Sequence, residues 1–255
     1  MLGPLQSQGC NLMLTLPVQE IFSSIQGEGP YVGVRQLFLR LPGCNLACPY
    51  CDTLTDNPRQ LLLEAVPGSR SFEYYDNPLS LPDLLGLLLR FNFQKHHSLS
   101  VTGGEPLLWN RELAEFLPLV REQGLKIYLE TNGTLSRQLD TLLPWLDIIS
   151  MDIKLPYGGR SFWTEHQEFL DVSKEKEVFV KIVVHSATIS IDLRTARELI
   201  ASVSPDIPVI LQPVSAARGL IPPPARQMLA WQDYLAEELR NVRIIPQTHI
   251  LQGQL

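Results

Sequence analysis

Apolar, partly β-branched runs recur along the chain at residues 36–41, 98–102, 126–130, 147–151, 178–184, 208–212 and 242–245. Runs this short, with little polar alternation, read as parallel strands buried on both faces. Between them, segments 81–91, 111–123, 162–172, 193–203 and 225–239 carry the amphipathic period of helices. Ser80 and Pro82 mark the start of the first helix; Asn110 is the expected cap of the second, and Gly124 its stop. Strand and helix in alternation argue for a right-handed βαβ series. The count is about one βα unit short of an eightfold barrel, so the expected α/β fold is a partial, open TIM barrel of (β/α)6 type, with a doubly wound open sheet as the alternative. Residues 1–17 lack periodicity and are expected to form a flexible N-terminal extension to a single domain over 18–255. Residues 54–78, with Pro58, Pro67, Gly68 and Pro78, break the rhythm and read as a loop inserted over the barrel mouth.

Composition narrows the function. The 255 residues are 45% hydrophobic, enough for one continuous core. With 21 basic and 27 acidic residues the formal charge is −6, and no Lys/Arg run is present to track a phosphate backbone, which excludes nucleic acid as a partner. No apolar stretch approaches the roughly 20 residues of a membrane span, and the N-terminus lacks the form of a signal peptide, so a cytoplasmic protein is expected.

The polar residues cluster where the strands end. Cys44 to Cys51 follow the first predicted strand, Gly103-Gly104-Glu105 the second, Glu130-Thr131-Asn132 the third, and Asp152 and Lys154 the fourth. Lys181 lies within the fifth, Gln212 ends the sixth, and Gln247-Thr248-His249 follows the last. In a barrel these positions share the carboxyl-terminal mouth, where barrel enzymes place their chemistry.

Three of the four cysteines, Cys44, Cys48 and Cys51, fall within eight residues, while Cys10 stands apart without an assigned role. Such a cluster suits a metal better than a disulfide framework. Three thiolates from one loop suit a 4Fe-4S cluster whose fourth iron stays open to a ligand. A zinc site is the competing reading, but zinc prefers paired Cys-x2-Cys units or a nearby histidine, and His96 and His97 are far along the chain. Two glycines at a strand end, Gly103 and Gly104, let the backbone approach a ligand closely, and the carboxylate of Glu105 is suited to receive an ammonium.

A Cys-x3-Cys-x2-Cys triplet after the first strand of a partial barrel, with Tyr50 before its last cysteine, resembles the radical S-adenosylmethionine superfamily. Around it, the Gln26-Gly27-Glu28-Gly29 box, Gly33, Arg40 and Cys51-Asp52-Thr53 are similar to the opening of the 7-carboxy-7-deazaguanine synthases. The likeness continues through Thr102–Pro106, Glu130–Gly133, Leu211–Pro213 and Pro246–His249, and so covers about residues 19 to 255.

The resemblance implies a carbon-nitrogen lyase that converts 6-carboxy-5,6,7,8-tetrahydropterin to 7-carboxy-7-deazaguanine with loss of ammonia, in queuosine and deazapurine biosynthesis. It implies S-adenosyl-L-methionine chelated to the open iron, a 5′-deoxyadenosyl radical, Mg2+, a homodimer, and an electron donor such as flavodoxin or ferredoxin. Carried over residue by residue, the substrate contacts are Ile25, Gln26, Gly27, Arg40, Thr102 and the terminal Leu255. Those to S-adenosylmethionine are Tyr50, Cys51, Asp52, Gly104, Asp152, Ile153 and Lys154, and Thr53 is the ligand to Mg2+. Bidentate capture of a carboxylate suits the Arg40 guanidinium as it would not suit a lysine. Ser150-Met151-Asp152-Ile153-Lys154 departs from the Ser-Pro-Lys of many relatives, and a tryptophan often found after Cys-Asp-Thr is missing. Rival readings are another radical enzyme, such as a glycyl-radical activase, which would need neither Gln26–Glu28 nor Arg40, and a non-catalytic zinc or cluster module.

Overall fold

The computed structural model describes residues 14–51, 56–156, 159–215, 220–251 and 253; Cys10, Asp52, Thr53 and Leu255 lie outside the described residues. After a short strand β1 (Thr15–Leu16), strands β2 (Glu20–Ile25) and β3 (Arg35–Leu41) form an antiparallel hairpin with Glu20 opposite Arg40. A second hairpin, β4 (Gln60–Glu64) and β5 (Phe72–Asp76), lies against β2, and β6 (Leu79–Ser80) pairs with β1. Helix α1 (Leu81–Leu88) leads to β7 (Ser98–Gly103), α2 (Asn110–Glu122), β8 (Lys126–Thr131), α3 (Ser136–Leu142) and β9 (Ile148–Ile153). The series closes with α4 (Trp163–Ser173), β10 (Glu177–Val184), α5 (Ser190–Val203), β11 (Val209–Pro213), α6 (Ala225–Ala236), β12 (Val242–Ile244) and α7 (Thr248–Leu251).

Ten strands form one sheet in the order β12-β11-β10-β9-β8-β7-β3-β2-β4-β5. From β3 to β12 every neighbour is parallel and follows in chain order. Right-handed crossovers that always step the same way put the crossover helices on one face, and α2 to α6 accordingly pack each against the next. A doubly wound sheet would need the order to reverse, and it does not. Because β12 and β5 do not pair, the sheet curls as an open, partial barrel.

Side-chain alternation along each strand then divides the molecule. Leu39, Val101, Leu129, Met151, Ile182 and Leu211 face the helices and are fully buried in the main core. Each such side chain contributes about 1.5–3 kcal/mol through burial. The opposite, concave face has two storeys. Its lower one is filled by Tyr128, Ile148, Phe179 and Ile210, with Tyr31 inserted from a 3-10 turn so that its ring meets that of Tyr128 edge-on at 5.9 Å. The upper storey is polar and remains open as a cleft.

All seven predicted strands and five predicted helices form. The differences have local causes. Residues 54–78 were expected to be a structureless loop, but β4 and β5 occupy most of that stretch: β2 presents a free edge, and Pro67-Gly68 makes the turn, closed by Ser69 N–H on Val66 O at 3.1 Å. Asn110 is not a cap but the first helical residue, its Nδ2 donating to Thr141 Oγ1. Ser80 does cap α1, its Oγ accepting from Asp83 N–H. The fourth parallel strand runs on to Ile153, which places Asp152 within β9 rather than after it. Helix α3 went unpredicted because seven residues are too few to show a helical period.

Candidate functional site

The cleft holds about 550 Å³ and opens at the carboxyl ends of the parallel strands. Strand register builds it. Arg40 pairs across to Thr102, Glu130 to Ser150, Lys181 to Asp152, and Val183 to Gln212, so polar residues of successive strands stand in one row on the concave face.

Cys44, Cys48 and Cys51 occupy one wall, half-buried and outside any disulfide. Burial pushes the thiols of Cys44 and Cys48 above their ordinary range, and the neighbouring Lys154 ammonium works against this at Cys48. The loop is turned by Cys51 N–H donating to Cys48 O at 3.1 Å, and Leu46 N–H points at Cys44 Sγ at 3.4 Å. Asn132 reaches across from β8, with Nδ2 at 2.8 Å from Asn45 Oδ1 and 4.0 Å from Cys44 Sγ. Donors aimed at a sulfur are what a cluster thiolate uses to spread its charge. Among the described residues no three His, Cys, Asp or Glu side chains are gathered to hold a single metal ion. Three thiols lining one wall, with amide donors aimed at the Cys44 sulfur, fit the chemistry of a cluster thiolate set.

The paired glycines meet protein backbone at close range, a contact the expectation of ligand approach did not include. A Cβ on Gly104 would lie 1.8 Å from Gly43 O, and one on Gly103, at φ +129°, 2.1 Å from Leu41 O. It is the cysteine loop itself that lies against them. Glu105 also departs from expectation, for it turns inward and is fully buried, instead of facing the cleft to receive an ammonium. Its carboxylate accepts from Leu107 N–H, Thr131 Oγ1 and Asn132 N–H at 2.7–3.1 Å. Burial pushes its pKa up to about 7 against the pull of those donors. Glu105 thus braces Asn132, and through it the cysteine loop.

Arg40 stands at the cleft edge with Nε 2.8 Å from Glu20 Oε2 and its guanidinium 5.4 Å above the Phe22 ring. Among the described residues its terminal nitrogens make no hydrogen bond and remain available to a ligand. Ile25, Gln26, Gly27 and Thr102 line the same cleft. The side-chain donors of Gln26 are both spent within the protein, on Gln36 Oε1 and Glu130 Oε1, while its Oε1 accepts from Glu28 N–H. Glu130, fixed by Gln26, Ser100 and Thr102 at 2.9–3.0 Å, had no role in the sequence reading and proves central to the concave face.

Tyr50, Cys51, Gly104, Asp152 and Lys154 also border the cleft. Ile153 does not: alternation sends its side chain into the helical core at 1% exposure. Lys154 donates to Asp152 Oδ2 at 2.8 Å and lies 5.5 Å from the Tyr50 ring centre.

Opposite the cysteines stands an unanticipated cluster. The Lys181 ammonium donates to Glu28 Oε2 and lies 3.3 Å from Asp152 Oδ1, while Glu28 Oε1 accepts from Gln212 at 3.1 Å and Gln247 at 2.7 Å. Burial would raise both carboxyls, but the lysine charges prevail and hold Glu28 and Asp152 below the usual carboxylate range. Burial likewise works against the charge on Lys181, but Asp152 and Glu28 hold its pKa well above normal. The available signal was a lone charge in an otherwise apolar strand. His249 closes the site: a Cβ on Gly27 would meet its Nδ1 at 2.0 Å, and Thr248 N–H donates to Gly27 O at 2.8 Å.

Residues 39–157 match the Radical SAM superfamily. The chain is 43% identical over 246 residues to a 7-carboxy-7-deazaguanine synthase of Geobacter sulfurreducens, covering 93% of this chain and 97% of the relative. It is 34% identical over 238 residues to the synthase of that name from Archaeoglobus fulgidus, covering 90% and 95%. Among solved structures, QueE from Escherichia coli matches with a TM-score of 0.63 at 23% identity over 92% of this chain and 95% of that one. A radical SAM methyltransferase from Sphaerobacter thermophilus matches at 0.57 and 12% identity over 83% and 66%. At those identities the likeness shows the fold alone.

Proposed function

The chain belongs to the 7-carboxy-7-deazaguanine synthase family of radical S-adenosylmethionine enzymes, and on that premise we propose that it converts 6-carboxy-5,6,7,8-tetrahydropterin to 7-carboxy-7-deazaguanine, as a carbon-nitrogen lyase on the route to queuosine. The observation that carries the reading is the sharing of one cleft by a three-cysteine loop and an arginine with an open fork. The product and one ammonia contain every atom of the substrate, so the reaction consumes no electrons overall. A hydrogen removed to start it must be returned.

Cys44, Cys48 and Cys51 hold the 4Fe-4S cluster in this reading, and S-adenosylmethionine lies along Tyr50, Gly104, Asp152 and Lys154, with Asp52 and the backbone of Ile153 adjoining. The bound cluster and cofactor supply one-electron cleavage of a sulfonium and hence a carbon radical. Arg40 takes the substrate carboxylate through its terminal nitrogens, and its pairing with Glu20 holds the guanidinium in place. Glu130 faces the cleft with three donors fixing its oxygens, an acceptor suited to the amino-pyrimidinone edge of a pterin. Ile25, the backbone of Gln26 and Gly27, Thr102 and Leu255 complete the substrate surround. Thr53 provides a hydroxyl to Mg2+, an ion that keeps most of its ligands as water and substrate oxygens. A homodimer in the cytoplasm, reduced by flavodoxin or ferredoxin, completes the proposal.

The test is turnover of carboxytetrahydropterin by the reconstituted, reduced enzyme. Deazaguanine product and ammonia are expected without net loss of S-adenosylmethionine. Stoichiometric 5′-deoxyadenosine with no deazaguanine would overturn the assignment and favour the activase reading.

A further inference from the structure

Lys181 stands between two carboxylates that belong to different parts of the site. Glu28 comes from the Gln26–Gly29 loop on the substrate side, and Asp152 from β9 on the cofactor side. They do not share the ammonium equally. Glu28 Oε2 accepts a hydrogen bond from it, whereas Asp152 Oδ1, 3.3 Å away, has an ion pair without hydrogen-bond alignment. Lys154 takes the other oxygen of Asp152. Asp152 Oδ1 is left buried with no hydrogen bond, an arrangement that proteins seldom leave unanswered. Glu28 cannot readily swing away, since Gln212 of β11 and Gln247 near α7 both donate to its second oxygen.

We propose that Glu28 is a positioning residue for S-adenosylmethionine: it holds the Lys181 ammonium off Asp152 and so reserves Asp152 Oδ1 as the acceptor for a hydroxyl or ammonium donor of that cofactor. The inference rests on the cofactor reading of Asp152. The loop assigned to substrate then also sets the affinity for the cofactor, 124 positions further along the chain at Asp152. Such linkage works in both directions, so substrate pressing on Glu28 shifts cofactor binding, and the reverse.

The experiment is anaerobic titration of the reconstituted enzyme with S-adenosylmethionine, without pterin, with iron content and visible absorption followed in every variant. Asp152→Asn is expected to weaken binding about 10-fold through loss of a charged acceptor. Glu28→Gln should weaken it by a similar factor, because the released ammonium closes on Asp152 Oδ1. Removing that ammonium as well, in Glu28→Gln/Lys181→Met, should restore affinity to within about 3-fold of the parent. A purely structural role for the pair predicts the opposite, a double variant weaker than either single one. Lys181→Arg keeps the charge and spans both carboxylates, so it should weaken binding about 5-fold or more and serves if Glu28→Gln fails to hold iron.

The inference is overturned if Glu28→Gln binds within 2-fold of the parent, if the double variant is no tighter than Glu28→Gln, or if Lys181→Arg is unchanged. An unchanged Asp152→Asn would remove the cofactor reading together with the inference. The pterin assay is separate, so substrate identity can fail without touching this result.

Discussion

On the cysteine wall, backbone lies on backbone: Gly104 sits where a single methyl group would meet Gly43 O at 1.8 Å, and Asn132 is fixed by the buried Glu105. On the facing wall the contacts that define the site are between side chains: Glu28, Lys181, Asp152, Gln212 and Gln247 meet through their charged and amide groups. The first wall is therefore specified by short stretches of sequence and tolerates no added volume. The second is specified by charge and reach from five separate segments, and it should accept changes of volume but not of charge pattern. A cluster loop needs fixed sulfurs, while the opposite side must admit and release ligands.

The sharpest way to break this contrast is to add one methyl group to the cysteine wall. Gly104→Ala is expected to cost about 3 kcal/mol or more, through overpacking against backbone that cannot give. Thermal unfolding should shift by several degrees and iron should be lost; full iron retention would mean that the loop is more yielding than its contacts imply. Next in size is Arg40→Lys, which keeps the charge on the strand leading into the cysteine loop but removes the fork. A fall of about 100-fold in kcat/KM is expected with iron content unchanged. Unaltered kinetics would separate Arg40 from the substrate carboxylate.

The smallest effect concerns Glu105, which braces the cysteine wall. Its folded pKa of about 7 lies above its ordinary value of 4.5, so its contribution to stability is full below about pH 4.5 and is lost as pH rises through 7. Denaturant unfolding at pH 5 and at pH 7.5 should show the parent losing about 2–3 kcal/mol more than Glu105→Gln over that interval. Equal losses would mean that the carboxylate is not the titrating brace.

The sequence was most legible where neighbours in space are neighbours in the chain. Apolar runs located the seven strands of the parallel series from β3 to β12, and three cysteines in one loop announced their wall. It was less legible where partners are distant. Glu28 and Gln247 are 219 positions apart, and no periodicity relates them. The β4–β5 hairpin was hidden by its prolines, which looked like loop punctuation and prove to flank and turn a ribbon whose pairing is supplied by β2. Glu105 misled for another reason: a motif names the residue type at a strand end but not the face to which it turns, and here Thr131 and Asn132 supply partners inside the protein.

The clasp of Thr248 and His249 over Gly27 has a consequence for how the protein comes into being. A chain emerging from the ribosome can pair β2 with β3 and lay down successive strands, but Gly27 stays uncovered and Glu28 lacks Gln247 until the segment after β12 has been made. The cleft is completed by a segment made after every strand of the sheet, so a nascent chain, or one terminated before that segment, carries its cysteines without a finished chamber around them.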